Sequence, residues 1–463
     1  MSERGDERDA AGPGLFDGIV ARGPVRDAVG DRARLAAMLD VEVALAWAQG
    51  QVGIIPTAAA EAIADACRPG TFDIGTLGRA AADTGNPVVA MVEMLSARLD
   101  RSAAAHLHHG ATSQDILDTS LMLVVRRALD LILVDLEGAA DAAARLAYIH
   151  RATLIAGRTL LQQALPTTFG AKAAGWLAGL DAASAGLREV RRSSIAAQLG
   201  GAAGTLAAFG ESGTRVLAAF AAELDLAEPD LPWHAERTRI ARLAGALGTA
   251  SVAIGKPALA VLLLAQTEIG EVREGTPGRG RSSTLPQKHN PVAAVAARAC
   301  AAQAPGLVAT LLMAGVGEHE RAAGAWHAEW QPLAELLRSV GSAAAWLRDC
   351  LEHLEVDPVR MEANLERSGG LLLAERVATA LTPALGRGPA ARLVQRASAK
   401  AIESGRPLRD VLAALPAVTE HLDRAALGVL LDPRGYLGSV DAFVDRALAT
   451  HATRLGASPE VGR

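Results

Sequence analysis

Ser282 and Ser283 precede Lys288 by six and five positions, and Asn290 and Pro291 follow it, inside Gly278-Arg-Gly-Arg-Ser-Ser-Thr-Leu-Pro-Gln-Lys-His-Asn-Pro-Val292. The run is too polar and too often broken by Gly and Pro to be core. A serine hydroxyl gives up or takes a proton only where its alkoxide is stabilised by nearby donors and positive charge. Backbone N–H groups of a Gly/Ser turn, a lysine ammonium and the dipole of a helix opening at Pro291 would supply that field. Lys172, Lys256, Lys288 and Lys400 are the only lysines, so arginine carries nearly all the basic charge. A lysine inside a serine-rich loop therefore answers a local chemical need more than a general one for solubility. By residue type alone, a surface loop joining two helices fits the same run.

His106, His108 and His109 stand just before Gly110-Ala-Thr-Ser-Gln-Asp115. No Cys, Asp or Glu partner lies at a metal-ligand spacing and His-Glu-x-x-His is absent. The expectation is a hydrogen-bonding histidine beside that loop, with no metal. Glu318-His-Glu-Arg321, followed by Trp326-His-Ala-Glu-Trp330, reads in two ways: a charged helix end with i,i+4 pairs, or an arginine clamp for a carboxylate. Gly200-Gly-Ala-Ala-Gly204 has no Walker pattern and no strand–loop–helix setting, so a nucleotide site is not expected.

The elements that must position these residues read as helices. Leu35, Met38, Leu39, Val43 and Leu45 recur at helical spacing up to a stop at Gly53. Helices are expected from Val88 to His106, from Ile116 to Ile149, from Ala171 to Ser194, over Ala235 to Ile269, and from Pro291 to Val316. Thr112, Ser113 or Asp115 can cap the second of these. A helix of more than thirty residues implies a long bundle. Asp357-Pro358 reads as a boundary before shorter helices, and no β-alternation of any length appears.

Composition agrees. The chain has 463 residues, half of them apolar but only 3% aromatic, which favours long Ala/Leu helices. The net charge of −5 is mixed along the chain and leaves no nucleic-acid footprint. Cys67, Cys300 and Cys350 fit no disulfide or zinc pattern and suit a reducing cytoplasm. Met1 to Gly14 reads as a disordered tail with no signal-peptide core. Leu243 to Ile269 and Ala299 to Gly317 are sparsely charged, but they are alanine-heavy and interrupted, as in buried bundle helices rather than membrane spans.

Three segments, in this order along the chain, resemble the fumarase/aspartase superfamily. His108-His-Gly-Ala-Thr-Ser-Gln-Asp115 is similar to its Gly-x-Thr-Ser-x-Asp segment. Gly157-Arg-Thr-Leu-Leu-Gln162 is similar to its Gly-Arg-Thr-His-x-Gln, continuing through Pro166-Thr-Thr-Phe-Gly170. Ser282-Ser-Thr-Leu-Pro-Gln-Lys-His-Asn-Pro291 is similar to its mobile-loop Ser-Ser-x-Met-Pro-x-Lys-x-Asn-Pro. Within the superfamily, Leu15-Phe-Asp17, Ala33 to Asp40, Gly53-Ile-Ile-Pro56 and Glu318 to Trp326 look most like the 3-carboxy-cis,cis-muconate cycloisomerases. Three positions depart from the pattern. Leu285 takes the methionine place, Arg281 takes the glycine before the serine pair, and Leu160 stands where lyases have histidine and cycloisomerases usually tryptophan.

The resemblance implies an all-α, three-domain fold whose central long-helix bundle assembles into a homotetramer with active sites shared between subunits. Carried onto this chain, the parts are residues 15–110, 111–350 with a mobile loop at 276–291, and 351–463. The implied substrate is a polycarboxylate, 3-carboxy-cis,cis-muconate, closed to 4-carboxymuconolactone without a cofactor. Ser282 is expected to transfer the proton, with Lys288 and Asn290 beside it. His108, Thr112, Ser113, Gln114, Gln162, Ser283 and Arg321 are expected to bind substrate. No membrane or nucleic-acid partner is implied. A fumarate-releasing lyase such as adenylosuccinate lyase, or a catalytically silent homologue, is the alternative.

Overall fold

A computed structural model of the chain describes residues 14–456; the expected tail, apart from Gly14, lies outside them. Packing divides the chain into two compact units. One comprises Met1–Gly138, Ala182–Lys256 and Val295–Arg348; the other comprises Ala139–Asp181, Pro257–Ala294 and Asp349–Arg463.

The first unit is helical. Its helix Asp31–Val52 buries Leu35, Met38, Leu39 and Leu45, and ends at Gly53 in the left-handed conformation that a helix stop of this kind requires. The helix Ser113–Ile149 starts in this unit and buries Ile116, Met122, Val125, Leu129, Ile132 and Leu136 on successive turns. Leu243, Leu247 and Ile254 of the helix Thr238–Leu264, and Leu333, Leu337 and Val340 of Ala325–Glu352, are likewise buried. Truncating any of these aliphatic side chains to Ala is expected to cost about 2–5 kcal/mol.

The helix expected over Val88–His106 is two: Pro87–Ser96, capped by Asn86, and Arg101–Ala104, capped by Asp100. The stretch expected to run from Pro291 to Val316 breaks in the same way into Val292–Ala301 and Ala304–Ala314, with Gln303 and Pro305 at the joint. Each break falls where a residue with a competing local interaction, or lacking a free N–H, interrupts an apolar run.

The second unit contains strands that sequence patterning did not reveal. Leu154–Thr159 pairs antiparallel with Gln162–Thr168, and Val272–Glu274 pairs with Leu354–Val356. These strands are three to seven residues long, and the first pair carries a register shift between Ala156 and Arg158, so no clean period of two is left to read. Toward the C-terminus, Val377, Leu381, Val394, Leu408, Leu412 and Leu427 form a separate helical core.

Thr238–Leu264 and Val292–Ala314 are long and apolar enough to cross a membrane by length and composition alone. About half and two-fifths of their apolar windows are buried within the single chain.

Candidate active site

The Ser-rich loop belongs to the second unit and is built as a miniature hairpin. Asn290 N–H donates to Gly280 O at 2.9 Å, Ser282 N–H donates to Lys288 O at 3.3 Å, and Arg281 pairs with His289 between them. Side chains alternate across such a pairing. Ser282, Lys288 and Asn290 therefore share one face, while Arg281 and His289 share the other. A small cavity takes in Arg281 and His289 but not the first three, as that alternation requires.

Gly280 permits the closure. It has φ +72°, and a Cβ there would lie 2.1 Å from Asn290 O, so no side chain fits. Glu274 fixes the loop's exit, its two carboxylate oxygens accepting the N–H groups of Ala293 and Ala294 at 3.0 and 2.8 Å. This caps the helix that follows.

Ser282 Oγ accepts the backbone N–H groups of Thr284 and Leu285 at 3.3 and 3.1 Å. Both donors would hold a serine alkoxide, so the loop itself supplies part of the stabilisation that the chemistry needs. Ser282 and Asn290 are half-buried, whereas Ser283 and Lys288 are exposed. Arg279 does not join this face; its Nη1 donates to Asp349 at 2.6 Å.

Gln162 is in the same unit, exposed at the end of the first hairpin opposite Thr159. The turn between them is Leu160-Leu161, with φ +50° and +65°, and the two side chains are 97% and 76% exposed. Two leucines in the left-handed region of a two-residue turn, where Asn-Gly is usual, are strained. Arg158 anchors the hairpin by a two-pronged ion pair to fully buried Glu271 at 2.8 and 2.9 Å, and Asn364 Nδ2 donates to the same carboxylate at 2.9 Å.

His108, Thr112, Ser113, Gln114 and Arg321 are brought together in the first unit. Asp115, fully buried, ties the start of the 113–149 helix to the Gly200 turn. Its Oδ2 accepts Thr112 N–H at 2.9 Å and Gly201 N–H at 3.0 Å; its Oδ1 accepts Gly200 N–H at 2.9 Å and faces His234 Nε2 at 2.6 Å. Thr112 and Ser113 are half-buried at this helix start, where N–H groups and dipole favour an anion.

Two expected substrate contacts are otherwise engaged. Gln114 is fully buried, its Nε2 donating to Asp118 at 3.1 Å and to His234 O at 2.9 Å, while its Oε1 accepts from Arg321 at 3.1 Å. The Arg321 guanidinium also donates to Gly201 O and Ala202 O at 3.3 and 2.9 Å. In this structure both brace the turn rather than present free donors. Gln114 is fully buried, so its amide must find partners inside the protein, while half-buried Arg321 is held by the turn carbonyls it meets.

His108 has φ +56°, and its Nδ1 lies 2.6 Å from buried Glu42 Oε1. Burial pulls the imidazole's pKa down, but hydrogen bonding to Glu42, with the Glu42 and Asp115 charges, outweighs it and raises the pKa above its ordinary value.

Beneath this site lies a polar cluster that sequence reading missed. Arg237 grips Asp118 at 2.7 and 3.1 Å and Glu329 at 3.1 and 2.5 Å, and Trp326 Nε1 donates to Asp118 at 3.2 Å. Burial pushes Glu329's carboxyl upward against the pull of Arg237. Burial also works against the Arg237 charge, yet Asp118 and Glu329 together raise its pKa. A signal was present: Asp115 and Asp118 interrupt an apolar helical run at the i,i+3 spacing that places both on one face. Among the described residues no cluster of three or more His, Cys, Asp or Glu is arranged to hold a metal.

A family model described as "Lyase" matches residues 19–306, and one described as "Adenylosuccinate lyase C-terminus" matches 370–447. A nitrosuccinate lyase from Streptomyces davaonensis is 48% identical over 94% of this chain and 94% of its own length. A 3-carboxy-cis,cis-muconate cycloisomerase from Pseudomonas aeruginosa is 45% identical over 94% of this chain and 96% of its own. Among solved structures, the 3-carboxy-cis,cis-muconate lactonizing enzyme from Pseudomonas putida superposes with a TM-score of 0.91 at 40% identity, covering 96% of this chain and all of that one.

Proposed function

This chain belongs to the lyase family of the fumarase/aspartase superfamily, and on that premise we propose that it is a 3-carboxy-cis,cis-muconate cycloisomerase. The observation that carries the site assignment is the Ser282 hydroxyl, held by two backbone N–H groups on the same loop face as Lys288 and Asn290.

In the reaction a substrate carboxylate oxygen forms a C–O bond to one alkene carbon. The π electrons move to the neighbouring carbon and are delocalised into the carboxylate attached there, as an enolate-like dianion. The Ser282 O–H then gives its proton to that carbon, and the alkoxide left behind is held by Thr284 and Leu285 N–H until solvent reprotonates it. Each such donor lowers the barrier by about 3 kcal/mol. Lys288 and Asn290 hold substrate carboxylates, and the Thr112–Ser113 helix start takes another. His108, Gln162 and Ser283 complete the contacts, and Gln114 and Arg321 act by holding the Gly201 turn in place. The three-part division at residues 110 and 350, with the loop at 276–291, goes with this reading.

We place the enzyme as a cytoplasmic homotetramer with shared sites. Three buried, unpaired cysteines support a reducing compartment. Val252, Met313 and Val316, on or beside the two long apolar segments Thr238–Leu264 and Val292–Ala314, are 69%, 73% and 83% exposed in the single chain, which supports burial against other copies.

A specific observation favours a second reading. The nitrosuccinate lyase is 48% identical, and Leu160 is not the tryptophan usual in cycloisomerases. The same serine would then remove a proton next to a carboxylate, and nitrite would leave from the adjacent carbon to give fumarate. Purified enzyme offered both substrates separates the two. Loss of muconate ultraviolet absorbance is expected. Fumarate formation from nitrosuccinate without muconate turnover would overturn the first reading in favour of the second.

A further inference from the structure

The face of the loop hairpin that points away from Ser282 has its own polar cavity, of about 150 Å³. Most of the charge around it is already matched. Arg273 is paired with Glu355, Arg279 with Asp349, and both oxygens of Glu274 are occupied by the helix N–H groups of Ala293 and Ala294. Three groups are left over. The Arg281 guanidinium and the His289 imidazole have no hydrogen-bond or ion-pair partner among the described residues. Thr276 Oγ1 is buried and makes no hydrogen bond. Arg281 and His289 are a directly opposed pair between two ladder hydrogen bonds, the arrangement in which side chains approach most closely. The Arg281 guanidinium and the His289 imidazole then line a space the size of one small anion, with Thr276 also in its lining.

We propose that this cavity is a second anion site, binding a small oxyanion (a phosphate or a free carboxylate) behind the loop, distinct from the substrate face. Arg281 is bonded to Ser282, and His289 to Lys288. An occupant bridging Arg281 and His289 would therefore clamp the short ladder that sets the spacing of Ser282 and Lys288 on the other face. Phosphate would couple to loop geometry without touching substrate. The site depends on the hairpin and not on which substrate is turned over.

Isothermal titration of the full-length enzyme with inorganic phosphate tests this, with acetate as a second arm to separate phosphate from carboxylate. Saturable binding of one ion per chain is expected. Arg281→Gln and His289→Gln should each weaken it about tenfold or more, the effect of losing one charge-assisted or buried hydrogen bond. Ser282→Ala and Lys288→Gln should retain it. Both weakened side chains are exposed, so unchanged thermal melting checks that those variants fold. Absence of saturable binding, or binding lost in Lys288→Gln but intact in Arg281→Gln, overturns the proposal, the latter by placing the ion on the substrate face. Because no turnover is read, this outcome is independent of whether muconate is the substrate.

Discussion

Asp115 Oδ1 lies 2.6 Å from His234 Nε2, and the same carboxylate accepts N–H groups from Thr112, Gly200 and Gly201. One buried side chain thus joins the start of the 113–149 helix to the Gly200 turn and to the segment before the 238–264 helix. Asp115→Ala strands three backbone donors and a histidine away from water. It should destabilise the protein by about 3 kcal/mol or more, since each buried donor left without a partner costs about 1–3 kcal/mol. Thermal melting checks this, and a variant that melts like the wild type would remove Asp115 from the framework of the site.

Ser282→Ala should lower kcat about 10²- to 10⁴-fold, the range for losing a positioned proton-transfer group. The half-buried hydroxyl bonds only to its own loop, so melting should hardly change. Steady-state rates that stay within a few-fold of wild type would move the proton to another group.

Gly280→Ala should also silence the enzyme without unfolding it. The added Cβ would sit 2.1 Å from Asn290 O, so the hairpin must open and Ser282 and Lys288 lose their common face. Loss of turnover with an unchanged circular dichroism melt is the expected pair of results.

Leu160 and Leu161 occupy left-handed backbone at an exposed turn. Replacing the pair with Asn-Gly relieves strain of about 1–3 kcal/mol per residue. The double variant should melt at a higher temperature. Its effect on the ratio of muconate to nitrosuccinate turnover shows whether the strained tip contributes to substrate choice.

Glu42 raises the pKa of His108 in the folded state. A raised histidine binds its proton more tightly folded than unfolded. Its contribution to stability is therefore complete below the unfolded value of about 6.5 and is lost as pH climbs through the higher folded value. Melting temperature should decline over that interval above about pH 6.5, and the decline should be absent in Glu42→Gln.

The sequence by itself determined the helical architecture and the identity of the loop. Apolar spacing is a local property, so Asp31–Val52 with its Gly53 stop and Ser113–Ile149 were legible from periodicity and caps. The Ser282–Lys288–Asn290 spacing was legible because a short hairpin brings residues close in sequence onto one face. Only the tertiary structure decided which polar side chains face outward. Gln114 and Arg321 look like free donors in the chain, but burial holds Gln114 on Asp118, and the folded Gly200 turn brings the carbonyls of Gly201 and Ala202 to half-buried Arg321. Asp115 meets His234 across 119 residues and Arg237 meets Glu329 across 92, so no local pattern announces either pair. The strands around Leu160 are local in sequence yet carry no readable signal: a register shift breaks their alternation, and a Leu-Leu turn stands where a Gly or Asn would announce a hairpin.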